Sequence, residues 1–178
     1  ARKISDLSPL KDVGESSAKR ALMRLMPKQI KTGKYPVIFE SRVATSLLSS
    51  LVSATSGTNQ YRKTSFLLDS LDKKIASESL TVHEDPYLKN GNATTYFDGD
   101  GVFVKPRVVV EKGFLKGYFL SSYSARRLNM ETTGNAGGAH NLIANPSNLN
   151  FDGLLKKMKR GRSEERRVGK ECRSRWWP

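Results

Sequence analysis

Apolar residues recur at helical spacing through the first part of the chain and gather into short runs through the second. Ala18, Ala21, Leu22, Leu25 and Met26 repeat every three or four positions, which predicts a helix from Asp12 to Met26 with Pro27 stopping it. The stretch KYPVIFE predicts a short strand over Val37 to Phe39. Val43, Leu47, Leu48, Leu51 and Val52 predict a second helix, with Ser41 as its N-cap and Gly57 placed to end it. A third helical pattern runs over Phe66, Leu67, Leu71 and Ile75. From Leu80 onward the pattern shifts to short β-prone runs. PRVVVEKGFLKGYFLSS predicts a hairpin, with a Val108 to Glu111 strand, a turn at Lys112 and Gly113, and a Phe114 to Leu120 strand. The polar, glycine-rich METTGNAGGAHN predicts a loop. No internal repeat and no low-complexity linker interrupts this order. A helix-rich first half followed by short antiparallel strands predicts an α+β fold rather than regular βαβ winding.

Composition changes the picture mainly at the carboxy end. The 178 residues carry 31 Lys+Arg against 17 Asp+Glu, a net charge of +14. The last stretch, RSEERRVGKECRSRWWP, holds the sole cysteine, Cys172, and both tryptophans, Trp176 and Trp177. Its six Arg/Lys and terminal aromatic pair are of the kind that neutralise phosphates and stack on bases. It also resembles a translated sequencing adapter. The DNA string AGATCGGAAGAG encodes Arg-Ser-Glu-Glu, and the adapter frame continues in the order found from Arg166 to Trp176; Trp177 departs by one codon and Pro178 agrees. Residues 162–178 are therefore expected to be a non-native tail, to be set aside before the fold is read. Without them Lys+Arg falls from 31 to 25 and Asp+Glu from 17 to 14, a net charge of +11. The remaining 1–161 has no thiol for a disulfide, a metal or nucleophilic catalysis, which fits a reducing cytosol. No apolar run reaches the length of a membrane span. The amino end, ARKISDLSPL, has neither an initiator Met nor a signal-peptide core, so the chain is expected to begin within a longer gene.

Motifs that would carry chemistry are sparse. His83 and His140 are far apart and neither sits in HExxH or any spacing that pairs two ligands on one helix face. FDGDGV opens like a calcium loop at Asp98 and Asp100, but the closing position is Val109, so a tight turn is expected. Asn92 to Thr94 matches a glycosylation sequon and reads as surface loop. In TTGNAGGAHN, glycines at 134, 137 and 138 let backbone approach another chain or ligand, while Asn135, His140 and Asn141 supply donors and acceptors. It lacks the Lys-Ser/Thr ending of a P-loop. YRKTS, with Tyr61, Arg62 and Lys63, clusters positive charge after a helix end, where a solvated basic turn is the plain alternative.

Taken in order, YPVIFESRVATSLLSSLVSATSGTNQYRKTSFLLDSL and SSYSARRLNMETTGNAGGAHN resemble the PmbA (TldE) branch of the TldD/PmbA family of bacterial zinc peptidases. The resemblance runs through nearly all of 1–161 and implies an internal fragment: the start of the carboxy-terminal domain of a two-domain family, with that domain incomplete. Within the family the TldD subunit carries a zinc-binding HExxxH on the helix before its basic turn. That helix corresponds here to Ser41 through Thr55, and the alignment puts Ser49, Ser50 and Ala54 at the His, Glu and second His positions. Serine and alanine supply neither an imidazole ligand nor a carboxylate base. The resemblance thus implies a metal-free subunit, with zinc in a TldD-type partner and extended or unfolded peptide as substrate. The candidate substrate or interface residues are Tyr61, Arg62, Lys63, Tyr123, Ser124, Arg126, Gly134, Asn135, Gly137, Gly138, His140 and Asn141, with the hairpin strands as supporting sheet. Two other classes stay open: a metallopeptidase in its own right with ligands outside this segment, and a basic nucleic-acid-binding protein, which no recognised module or stacking platform accompanies. A cytoplasmic location is expected, with no membrane partner.

Overall fold

The computed structural model describes residues 4–23, 25, 31–146, 148–159, 161–164 and 175–177. They fall into two compact units, 48–146 and 3–47 with 147–178. The second contains α1 (Leu10–Met23), β1 (Val37–Phe39), the start of α2 (Ser41–Ala54), α5 (Phe151–Met158), β6 (Gly161–Glu164) and β7 (Arg175–Trp177). Met26 and Pro27, the expected end of the first helix, lie outside the described residues. β1 pairs in parallel with β6, and β6 antiparallel with β7. The described parts of the expected tail, Arg162–Glu164 and Arg175–Trp177, lie in those two strands; Cys172 is outside the described residues.

Unit 48–146 holds the rest of α2, α3 (Gly57–Tyr61), β2 (Val82–Asp85), β3 (Arg107–Glu111), β4 (Phe114–Leu115), α4 (Ser122–Leu128) and β5 (Asn141–Ala144). Its antiparallel sheet has the order β4-β3-β2-β5. Register slips by one residue between Val82 and His83, so Val109 is the extra residue of a β-bulge, and both Val109 and Val110 are fully buried. Around them pack Val82, Leu115, Tyr118, Phe119, Leu120 and Ala125, with Leu48, Leu51 and Val52 from the apolar stripe of α2. The architecture is α+β, and the sheet of this unit is antiparallel, as the sequence pattern predicts.

Several local expectations are corrected. Ser41 is the first helical residue rather than the cap, because the Glu40 carbonyl accepts from the amides of Val43 and Ala44 at 2.8 Å each. Gly57 does not end α2 but opens α3, capped by Ser56. A Cβ at Gly57 would stand 2.3 Å from Ser124 Oγ and 2.8 Å from a Leu120 methyl, so close packing of α3 on α4 requires the glycine. The Phe66–Ile75 pattern forms no helix. Asp69 and Asp72 adopt positive φ, and backbone bonds go to distant partners: Asp72 N to Leu115 O, Leu115 N to Lys73 O, Ile75 N to Gly113 O. The hairpin turn is at Lys112 (φ 46°) and Gly113 (φ 81°), as expected. Its second strand stops at Leu115 instead of Leu120, because the chain leaves the ladder to bury Tyr118, Phe119 and Leu120, and Phe119 exchanges backbone bonds with Thr55 and Gly57. The Asp98 to Gly101 turn forms as predicted, with Asp98 Oδ1 accepting from the amides of Asp100 and Val102 at 2.9 Å each.

Candidate functional site

Strand alternation places Glu84 on the same inward phase as Val82, and only 2% of it is exposed. Such burial demands partners. Arg107 is its cross-strand neighbour and donates from Nε to Glu84 Oε2 at 2.6 Å. The guanidinium also donates to Tyr118 O at 3.0 Å and Asn135 Oδ1 at 3.1 Å, and lies 4.8 Å over the Phe119 ring. Glu84 Oε1 accepts from Asn135 Nδ2 at 2.7 Å, from the His140 amide at 2.8 Å, and meets His140 Nδ1 at 3.0 Å. Burial opposes ionisation of Glu84, but the Arg107 charge and the hydrogen bonds from His140, Arg107 and Asn135 outweigh it and hold the carboxyl below its usual range. An ionised carboxylate only accepts, so the His140 nitrogen facing it, Nδ1, is the donor of that contact.

The glycine-rich loop is what carries Asn135 and His140 to this carboxylate. Thr133 donates to Asn135 Oδ1 at 2.7 Å, and Asn135 Nδ2 reaches Gly138 O at 3.1 Å. Gly134 (φ 69°) passes so close to Val104 that a Cβ would be 3.0 Å from its methyl. Gly137 and Gly138 have φ of 106° and 120° and stay exposed. Asp98 Oδ2 accepts from the Ala136 amide at 2.9 Å and pins the loop from outside. Asn141, next along, bonds Asp85 O, Thr94 and Ala93 N, and so holds local backbone at the start of β5.

The other predicted residues form a second cluster on the same unit. Ser121 and Ser124 make a capping box that starts α4, and Asn129 in the left-handed region ends it. Packing of α3 on α4 brings Tyr61 and Tyr123 into an edge-to-face pair with centroids 5.8 Å apart. The guanidinium carbons of Arg62 and Arg127 lie 5.7 and 5.8 Å from the Tyr61 centroid. Lys63 and Arg126 are exposed beside them in sequence. Ser124 is buried and serves the cap and the Gly57 contact rather than a surface.

Sequence reasoning missed Glu84, Arg107, Thr133 and Arg127. The signal for Glu84 was its inward phase with Val82 in a β-prone run, which marks a carboxylate that needs a cation. The hairpin strand β3 lies inside the sheet, and the outer side of β4 is bonded by the 72–75 segment, so neither offers an edge. Among the described residues, β5 has backbone partners only on its β2 side.

At the positions aligned with a zinc motif the side chains do not fit a metal. Ser49 and Ser50 are exposed and Ala54 is buried, with its carbonyl taken by Gln60 Nε2 at 2.6 Å and Ser65 Oγ at 2.5 Å. Among the described residues no three His, Cys, Asp or Glu side chains gather as a metal site. No helix of the described residues is long and apolar enough to cross a membrane.

Residues 32–162 match the model of the PmbA/TldA metallopeptidase C-terminal domain. The chain is 45% identical over 160 residues to the metalloprotease PmbA of Escherichia coli O157:H7, covering 90% of this chain and 36% of that protein. Identity to a metalloprotease TldD homologue of Buchnera aphidicola is 33% over 116 residues, covering 65% of this chain and 24% of the homologue. Among solved structures, a Bacteroides thetaiotaomicron protein described as a candidate modulator of DNA gyrase superposes with a TM-score of 0.87 at 31% identity, over 93% of this chain and 37% of its own. TldE from Thermococcus kodakarensis gives a TM-score of 0.69 at 26% identity, over 85% and 38%. The chain thus spans a little over a third of the length of relatives such as these PmbA and TldE proteins. Its ordered motifs, its antiparallel α+β fold and these matches agree: the chain belongs to the PmbA/TldD metallopeptidase family, within the C-terminal domain.

Proposed function

We propose that this chain is part of a PmbA/TldE-type subunit that holds no catalytic zinc of its own and works with a zinc-bearing TldD-type subunit in cleaving unfolded or modified peptides in the cytoplasm, contributing assembly and substrate positioning. The observation that carries the reading is the α2 terminus. Where a zinc motif needs two imidazoles and a carboxylate, this helix has Ser49, Ser50 and Ala54, and the Ala54 carbonyl is closed off by Gln60 and Ser65. The higher identity to PmbA than to a TldD homologue supports the same branch.

Peptide would be added along the outer edge of β5, where main-chain hydrogen bonds give affinity without demanding a particular side chain. β5 begins directly after His140, whose Nδ1 and backbone amide are both held by Glu84. The Glu84–Arg107–Asn135 cluster then fixes the position of that residue at the start of the edge strand, a positioning role.

The test is hydrolysis of an unstructured peptide by the intact gene product alone, by a TldD-type partner alone, and by the two copurified. Cleavage that requires both supports the proposal. The name metalloprotease borne by the PmbA relative favours a second reading, in which ligands outside this chain complete a site. Cleavage by the lone product would select it.

A further inference from the structure

We infer that the paired tyrosines Tyr61 and Tyr123, with Arg62, Lys63, Arg126 and Arg127 around them, form a binding site for acidic peptide segments. This rests on the peptide-positioning role proposed above and names a substrate class for it. Four cations come from the ends of two short helices that pack on each other, α3 and α4. Among the described residues none of the four is in an ion pair, and Glu131, four residues beyond Arg127, does not reach it. Basic residues at a helix carboxy end favour the dipole, which accounts for Arg126 and Arg127 being there. It does not account for two guanidinium groups converging on one tyrosine ring from different elements.

Contact with Tyr61 brings the two guanidinium groups to one ring and leaves their N–H forks for an acceptor, and a planar fork suits a carboxylate with two parallel hydrogen bonds. Two cations beside the Tyr61 ring would also compete with a base for it, which argues against nucleic acid. Tyr123, 56% exposed, adds an apolar face on which the stem of a glutamate or the backbone of a peptide can lie. The patch is also tied to the His140 cluster. Ser122 N donates to Asp100 Oδ2 at 2.9 Å, and the same turn's Asp98 holds Ala136 of the glycine-rich loop.

Fluorescence anisotropy on the intact gene product tests the inference without any partner subunit. The probes are a labelled Gly/Ser peptide carrying a run of glutamates, its glutamine counterpart, and a single-stranded oligothymidylate. Binding is expected for the glutamate peptide and to be about tenfold weaker or more for the glutamine peptide. Arg62→Gln with Arg127→Gln is expected to weaken the glutamate peptide about tenfold, and Lys at both positions to recover little, since an ammonium lacks the fork. Lys156→Gln with Lys157→Gln, which removes equal charge from α5, is expected to change nothing. Should the stacked double variant fail to fold, Lys63→Gln with Arg126→Gln removes two exposed cations that stack on neither tyrosine and is expected to weaken binding similarly. Equal binding of the two peptides, equal loss in the α5 variant, or tighter binding of the oligonucleotide that depends on Arg62 and Arg127 would each overturn the inference. Cleavage that requires the partner, found together with any of those results, would sink the acidic-peptide site and leave the subunit role standing. Acidic-peptide binding without such cleavage would do the reverse.

Discussion

Replacing Glu84 by Gln probes the buried cluster most sharply. The carboxylate is 2% exposed and receives Arg107 Nε, Asn135 Nδ2, the His140 amide and His140 Nδ1 within 2.6 to 3.0 Å. Gln keeps the shape but offers one accepting oxygen, turns an N–H₂ toward donors, and leaves Arg107 without its counter-charge. Removing one partner of a buried pair costs about 3–5 kcal/mol, and the 18% exposure of the Arg107 side chain argues for the lower end. An opening free energy reduced by about 3 kcal/mol raises amide exchange roughly a hundredfold where exchange follows the opening equilibrium. Hydrogen–deuterium exchange of the β2 and β3 peptides in the intact gene product reads this directly. The pH dependence has a definite sign. Glu84 has its carboxyl lowered from 4.5, so the folded state binds fewer protons than the unfolded state near that pH. Its contribution is full above 4.5 and is lost as pH falls through the lower folded value, so the gap between wild type and variant narrows on acidification. Exchange within a few-fold of wild type at neutral pH, or a gap that widens below 4.5, would refute the reasoning.

Other perturbations reach separate parts of the account. Gly57→Ala drives a Cβ to within 2.3 Å of Ser124 Oγ and is expected to cost roughly 1–3 kcal/mol, read as a lowered thermal midpoint; an unchanged midpoint contradicts the α3–α4 packing. Gly137→Ala meets open space but keeps φ near 106°, so about 1 kcal/mol of backbone strain is expected, less than at Gly57, and the order of the two midpoints checks it. Alanine at Asn135 and at His140 is expected to reduce peptide cleavage by the reconstituted complex, and rates and complex formation left untouched at both sites would count against the loop as a substrate or interface element. Amplifying the locus from genomic DNA is expected to show codons other than those of Arg162 to Pro178; a native frame running through them ends the adapter reading.

What the sequence disclosed depended on whether the determining partners were local. β1 over Val37–Phe39 and the Lys112-Gly113 turn follow from adjacent residues, and both stand where the pattern put them. Phe66, Leu67, Leu71 and Ile75 have helical spacing, yet the segment takes its backbone bonds from Gly113 and Leu115, some forty residues away, which no periodicity encodes. Gly57 read as a helix stop because its real reason, the approach of Ser124, lies on another helix. The loop chemistry at Asn135 and His140 was visible as residue types, but not its purpose. Glu84 and Arg107 had to become cross-strand neighbours before the histidine acquired a fixed place. Conversely, the Ser121–Ser124 capping box and the Asn129 terminus of α4 are local signals that the sequence itself carries.

Zinc content tests the central claim most directly. The intact gene product, purified alone and again as a complex with a TldD-type partner, is analysed for bound metal. The account predicts no stoichiometric zinc in the lone product and zinc in the complex, because Ser49, Ser50 and Ala54 offer no ligand set. Stoichiometric zinc in the lone product, retained after dialysis against a weak chelator, would contradict it.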